Sequence, residues 1–252
     1  MRKYWWLAVL VAVLAAPAFS QEKPGTIARV FVTQVKPGMV QQYEEGRKRH
    51  MDWHRKQNDT WTWTVYQVVT GDAEGQYVVI TEDHHWKDFD AWDAKMAAGD
   101  EADGAANLSP FTAGSTSSFY KFMADISRPP AGQSQPKMIE VLHFIVKQGS
   151  EPAFTGMMKK IDRAIKKTNW PVNYLWYELA NGGEGPHYVL VIPHDNWASM
   201  EDPEVPFPAM LEKGLGKIEA TAVLQGIGKT IQRQWSEMLQ YRPELSYTPA
   251  GK

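Results

Sequence analysis

The chain has 252 residues, 43% hydrophobic and 22% charged, with a formal net charge of −2, no cysteine and 11 tryptophans. That balance excludes an intrinsically disordered chain, because the apolar surface suffices to offset the entropy of ordering. The missing sulfhydryl excludes a disulfide scaffold, a thiolate metal centre and a cysteine nucleophile, and a near-neutral charge without a basic block argues against nucleic acid as a partner.

At the start of the chain, Arg2 and Lys3 precede an apolar run from Trp5 to Ala16, and Ala18-Phe19-Ser20 places small residues before a cut ahead of Gln21. Residues 1–20 therefore read as a secretory signal peptide, and the expected location is periplasmic or secreted. The run falls short of the roughly 20 apolar residues that cross a bilayer, so no stable membrane anchor is expected. Next, Ala28 to Val35 is rich in β-branched residues and predicts a strand, Pro37-Gly38 breaks it, and Val40 to Gln57 predicts a helix. Trp61 to Val69 and Gln76 to Thr81 predict a hairpin across the turn residues Gly71 to Gly75. Asp88 to Ala98 predicts a second helix and Ser118 to Ile126 a fourth strand, after which Arg128 to Pro136 has linker composition. Beyond it come a strand at Ile139–Val146, a helix at Ala153–Lys167 and strands at Val172–Leu179 and Tyr188–Ile192. A helical region at Phe207–Gly226 and a strand at Lys229–Gln240 complete the series.

The recurrence is an internal repeat. A shift of 111 residues pairs Val35-Lys36 with Val146-Lys147, Gly38 with Gly149, Tyr66 with Tyr177, Tyr77-Val78 with Tyr188-Val189 and Trp86 with Trp197. Arg128-Pro129 matches Arg242-Pro243 at a shift of 114, which gives one copy three extra residues. The expected organisation is a first repeat over 21–127, a linker over 128–136, a second repeat over 137–243 and a tail over 244–252. Each copy reads β-α-β-β-α-β, the ferredoxin-like unit. The second strand is apolar in both phases, as in strands buried on both sides. The expected fold class is therefore α+β, with two ferredoxin-like units packed sheet to sheet as an intramolecular barrel and helices outside.

With its strand-helix-hairpin order, Val-Lys-x-Gly strand exit and matched Trp86 and Trp197, the chain resembles the dimeric α+β barrel superfamily. That group includes antibiotic-biosynthesis-type monooxygenases, NIPSNAP-like and EthD-like families and stress-responsive A/B barrel proteins. The resemblance implies a pocket for a small apolar or aromatic molecule and chemistry of the cofactor-independent oxygenase type. It also brings in haem-binding chlorite-dismutase-like relatives, which hold iron through a helical histidine; the second copy has no histidine on either predicted helix.

Candidate chemistry rests on histidine. His50 and His54 lie four apart on one helix face, a spacing a metal can use, and their counterparts Ile161 and Ile165 belong to an amphipathic stripe, which places the histidines on the packing side. His84 follows the third strand in Glu82-Asp83-His84-His85-Trp86, where residues either cap the next helix or meet the histidine pair. The candidate catalytic residues are His50, His54 and His84. The candidate ligand-binding wall is Trp61, Trp63, Tyr66, His143, Tyr174, Trp176 and Tyr177. No cofactor is called for by any motif, while haem or a divalent metal at His50 and His54 stays open. Two function classes follow: an exported binding or oxygenase-type barrel, acting as a monomer or homo-oligomer, and a non-catalytic structural or assembly protein whose aromatics are simply core.

Overall fold

The computed structural model describes residues 24–132 and 135–250; the expected signal peptide at 1–20 lies outside the described residues. The first half consists of β1 (Ile27–Val35), α1 (Val40–Lys56), β2 (Thr64–Val68), β3 (Tyr77–His84), α2 (Trp86–Trp92), α3 (Ala98–Asn107) and β4 (Thr112–Phe122). The second consists of β5 (Met138–Val146), α4 (Glu151–Thr168), β6 (Leu175–Asn181), β7 (His187–His194), α5 (Phe207–Leu215), α6 (Lys217–Thr230) and β8 (Ile231–Tyr241). Both halves thus run β-α-β-β-α-β, with the second helical region divided in each. At the strand-to-helix turns Gly38 and Gly149 take φ of +75° and +81°, a conformation in which a side chain is strained.

All eight strands join one closed antiparallel barrel in the order β1-β3-β2-β8-β5-β7-β6-β4. Within each half the strands follow the ferredoxin-like order, and the halves close on each other at two seams. At one, Tyr66 of β2 pairs with Tyr241 of β8; at the other, Phe122 of β4 pairs with Tyr177 of β6. Alternation decides what each residue faces. On β1, Val30 and Val32 point into the barrel, whereas Phe31 and Val35 pack against the helices. Three apolar clusters result: one under α1 and α2, one under α4, α5 and α6, and one inside the barrel around Tyr66, Val78, Ile139, Val141 and Leu239.

Three sequence expectations are corrected. The fourth strand begins at Thr112 rather than Ser118, because the polar Thr-Ala-Gly-Ser-Thr-Ser run pairs with Phe31–Val35 of β1. The second-half helical region is two helices, since Gly216 at φ +85° ends α5 and starts α6, and α6 continues through Thr230 where a strand was expected. The equivalence of the halves is 111 residues up to β3 and β7 but 119 from β4 and β8 onward, so the second half is eight residues longer, not three.

The residues after β4 and β8 hold the halves together. The turn Ala124–Ile126 precedes Ser127, whose Oγ accepts from Trp176 N at 2.8 Å and donates to Met123 O. The turn Pro243–Leu245 precedes Ser246, whose Oγ accepts from Val65 N at 2.9 Å and donates to Arg242 O. Arg128 then bridges to Tyr174, and Tyr247 to Trp63. Each half thus ends clasped to the start of the other half's second strand, and the expected tail is a packed segment as far as Tyr247, with Leu245 and Tyr247 buried.

Candidate functional site

Two sites of different chemistry lie on opposite faces of the barrel wall. The inner one is a cavity of about 470 Å³, consistent with eight strands enclosing room for one small ligand. Its walls are mostly aliphatic, from Val30, Val32, Ile80, Ile139, Val141, Val189 and Leu239, and the linker residues Pro130, Gln135 and Pro136 border it. Polar side chains are set among them, including Thr64, Thr116, Ser118, His143 and His187. His143 Nδ1 and His187 Nε2 share a hydrogen bond of 3.0 Å, and His143 stacks on Trp235 with centroids 4.5 Å apart. Burial pulls both imidazoles down, His143 to about 3 with help from its neighbour His187, and His187 to about 4, so the pair is neutral at physiological pH. Tyr177 donates to Glu82 Oε2 at 3.1 Å, and desolvation together with this carboxylate raises the Tyr177 hydroxyl.

The outer site lies under α1. Tyr43, Arg47, His50, Met51 and His54 form the buried stripe of that helix. His54 Nδ1 donates to Asp59 Oδ2 at 2.8 Å. Asp59 also accepts from Trp61 N, from Trp63 Nε1 at 2.8 Å and from Trp92 Nε1, which leaves it acceptor-saturated and fully enclosed. His50 Nδ1 donates to Asp103 Oδ2 at 2.7 Å. The remaining imidazole nitrogens converge: His50 Nε2 and His54 Nε2 are 3.3 Å apart, and Asp100 Oδ1 lies 3.4 Å from the first and 3.2 Å from the second. Burial pushes the Asp100 carboxyl up, but its hydrogen bonds to His50 and His54 outweigh this and hold it below the carboxylate range. For His54 burial lowers and the bonds to Asp100 and Asp59 raise, with a net rise.

Local helix geometry brings Asp100 and Asp103 here. A single π turn, Asp93–Ala97, separates α2 from α3, and its extra residue rotates α3 by about 100° about the helix axis. Gly46 then permits close approach, since a Cβ there would lie 1.9 Å from Asn107 O.

The sequence candidates are divided among compartments. Tyr66, His143 and Tyr177 line the inner cavity. Trp61 and Trp63 belong to the helix-side core of the first half, where they hold Asp59. Tyr174 and Trp176 face the other way from the barrel interior, lining a separate cavity of about 330 Å³ beneath α4, α5 and α6. His84 hydrogen-bonds with Thr81 at 2.6 Å and stacks on Trp61 at 3.8 Å; Asn196, in the equivalent second-half stretch, caps its turn by accepting from Ser199 N. Sequence reading missed Asp59, Asp100, Asp103 and Arg47. Only the adjacency of Asp59 to Trp61 and Trp63 offered a signal, because the partners come from three different elements.

Haem does not fit. The helix-side cavity of the second half is lined by Phe144, Phe154, Ile161, Trp170, Phe207 and similar apolar residues, with no imidazole and no basic side chain for the propionates. Its Tyr174 hydroxyl is committed to Asp162 at 2.8 Å. In the first half the corresponding space is filled by Trp61, Trp63, Phe89 and Trp92.

No family model matches the chain, and no curated protein matches it. Solved structures do. A putative monooxygenase from Lactobacillus acidophilus NCFM superposes with a TM-score of 0.55 at 8% identity, over 89% of this chain and 97% of that one. An anthrone oxidase-like protein superposes at 0.51 and 9% identity, over 90% and 94%. A mutant chlorite dismutase from Candidatus Nitrospira defluvii, in complex with cyanide, superposes at 0.50 and 9% identity, over 87% and 92%. At these identities the likeness is one of fold. Among the described residues no helix is long and apolar enough to cross a membrane.

Proposed function

We propose that this chain is an exported member of the dimeric α+β barrel superfamily, built from two fused repeats, that binds a small apolar or aromatic molecule inside its barrel. The observation that carries the reading is the inner cavity, a space of about 470 Å³ whose wall combines aliphatic residues with aromatic and polar side chains, among them Tyr66, Tyr177, His143 and His187, the usual make-up of a small-molecule site. The first 20 residues support export, and the fold shared with monooxygenase-like proteins supports a small organic ligand. A second reading, cofactor-independent oxygenation, draws on one further observation. The neutral His143–His187 pair at the wall is placed to hydrogen-bond the hydroxyl of a bound phenol or enol.

The test uses protein expressed from the full chain and recovered as the form beginning at Gln21. Titration with the neutral fluorophore 1-aminoanthracene is expected to give one saturable site of micromolar affinity, weakened at least about tenfold by Val141→Trp or Val30→Trp, which fill the cavity from β5 or β1. Absence of saturable binding, or binding indifferent to both substitutions in folded protein, overturns the proposal. Oxygen uptake with anthrone, abolished by His143→Gln, separates oxygenation from binding alone.

A further inference from the structure

The outer site presents an electrostatic problem. Asp59 and Asp103 take the Nδ1 protons of His54 and His50, which fixes the tautomers and leaves both Nε2 atoms as lone-pair acceptors. With both imidazoles neutral, these two acceptors and Asp100 Oδ1 meet at 3.2–3.4 Å with no proton among them, and the contacts become hydrogen bonds only when an imidazole is protonated. Such an arrangement requires a cation at its centre, either a shared proton or a metal ion.

The dimensions favour the metal. Zinc binds imidazole nitrogen and carboxylate oxygen at about 2.0–2.1 Å, and at tetrahedral angles ligand atoms so bound stand about 3.3 Å apart. The three edges here are 3.2, 3.3 and 3.4 Å. Each imidazole has its second nitrogen on a carboxylate, the outer-shell arrangement that orients metal-bound histidine. Asp59, Asp100 and Asp103 supply enough negative charge to offset a dication. The Asp100 side chain, 30% exposed, gives an ion a way in.

We propose that His50 Nε2, His54 Nε2 and Asp100 Oδ1 bind one divalent transition-metal ion, zinc by geometry, with the fourth position open to a small anion. Arg47 indicates the anion. It lies one helical turn before His50 on the same face of α1, is 6% exposed, and its Nε and Nη2 have no hydrogen-bond partner. A carboxylate or comparable anion on the metal would complete that guanidinium's hydrogen bonding. This site lies on the opposite side of the wall from the inner cavity and stands or falls independently of the ligand proposed there.

The test treats the purified chain with chelator and titrates it with Zn²⁺ by calorimetry and with Co²⁺ by visible absorption. Expected are one ion per chain, intense d–d bands of four-coordinate cobalt, and a shift of those bands with azide that is weakened in Arg47→Gln. Asp103→Asn, which removes only the support of His50, is expected to lower zinc affinity about 10–100-fold, and Asp100→Asn to lower it further without unfolding the chain. Folded protein that takes up neither ion, or that binds zinc equally well after Asp100→Asn and His50→Ala, overturns the metal site and leaves a shared proton. Cobalt bands unmoved by azide overturn the open fourth position.

Discussion

Asp59 accepts hydrogen bonds from His54, Trp61, Trp63 and Trp92 in a fully enclosed position. Removing it leaves four buried donors without a partner, so Asp59→Ala is expected to cost about 3–5 kcal/mol, read as a lower urea midpoint at unchanged m-value. The inner-cavity histidines make a pH prediction. Their folded pKa values, about 3 for His143 and about 4 for His187, lie below that of an unfolded histidine, so below about pH 6.5 the unfolded chain binds more protons. Their contribution to stability is complete above that pH and is lost as pH falls toward 4. A His187→Gln variant is therefore expected to show a flatter melting-temperature profile than the parent between pH 6.5 and 4. Sequence could name His143 but not its state, because a pKa is set by neighbours from other strands: His143 and His187 meet through the β5–β7 pairing.

At the scale of elements, hydrophobic period and turn residues suffice for β1, α1, β5 and α4, whose observed bounds fall close to the expected ones. They fail where tertiary pairing overrides local preference. The Thr112–Ser117 stretch has no apolar alternation, yet it is a strand because β1 supplies its partner. The π turn has no composition signal either, although it sets the facing of Asp100 and Asp103. The two clasps are elements that only the structure reveals. Ser127 and Ser246 perform the same task, each satisfying a backbone N–H at the start of the opposite half's second strand. Ser127→Ala and Ser246→Ala are each expected to cost about 1–3 kcal/mol by stranding that N–H, and equilibrium denaturation of the two variants should give losses of similar size.

For the whole molecule, closure matters most. Two sheets with aromatic and β-branched residues in both phases must be covered twice, once by helices and once by each other, and the barrel does this within one chain. It also separates chemistry by side: neutral imidazoles and a carboxyl–tyrosine pair inside, a histidine–aspartate cluster outside. The aromatic wall expected as one pocket is therefore distributed, since successive residues of a strand point to opposite faces. Trp61 and Trp63 support Asp59, whereas Tyr66 of the same strand region lines the cavity.

The sequence by itself determined the α+β class, the β-α-β-β-α-β order of each half and the burial of His50 and His54, because these depend on periodicities of two and 3.6 residues that are local to the chain. Only the tertiary structure decided which phase of each strand faces the cavity, that the halves differ by eight residues, and that Asp59, Asp100 and Asp103 converge on the histidines. Those outcomes depend on register, helix rotation and close backbone approach between segments about 50 residues apart, as between His50 and Asp103, and no local pattern encodes such distances.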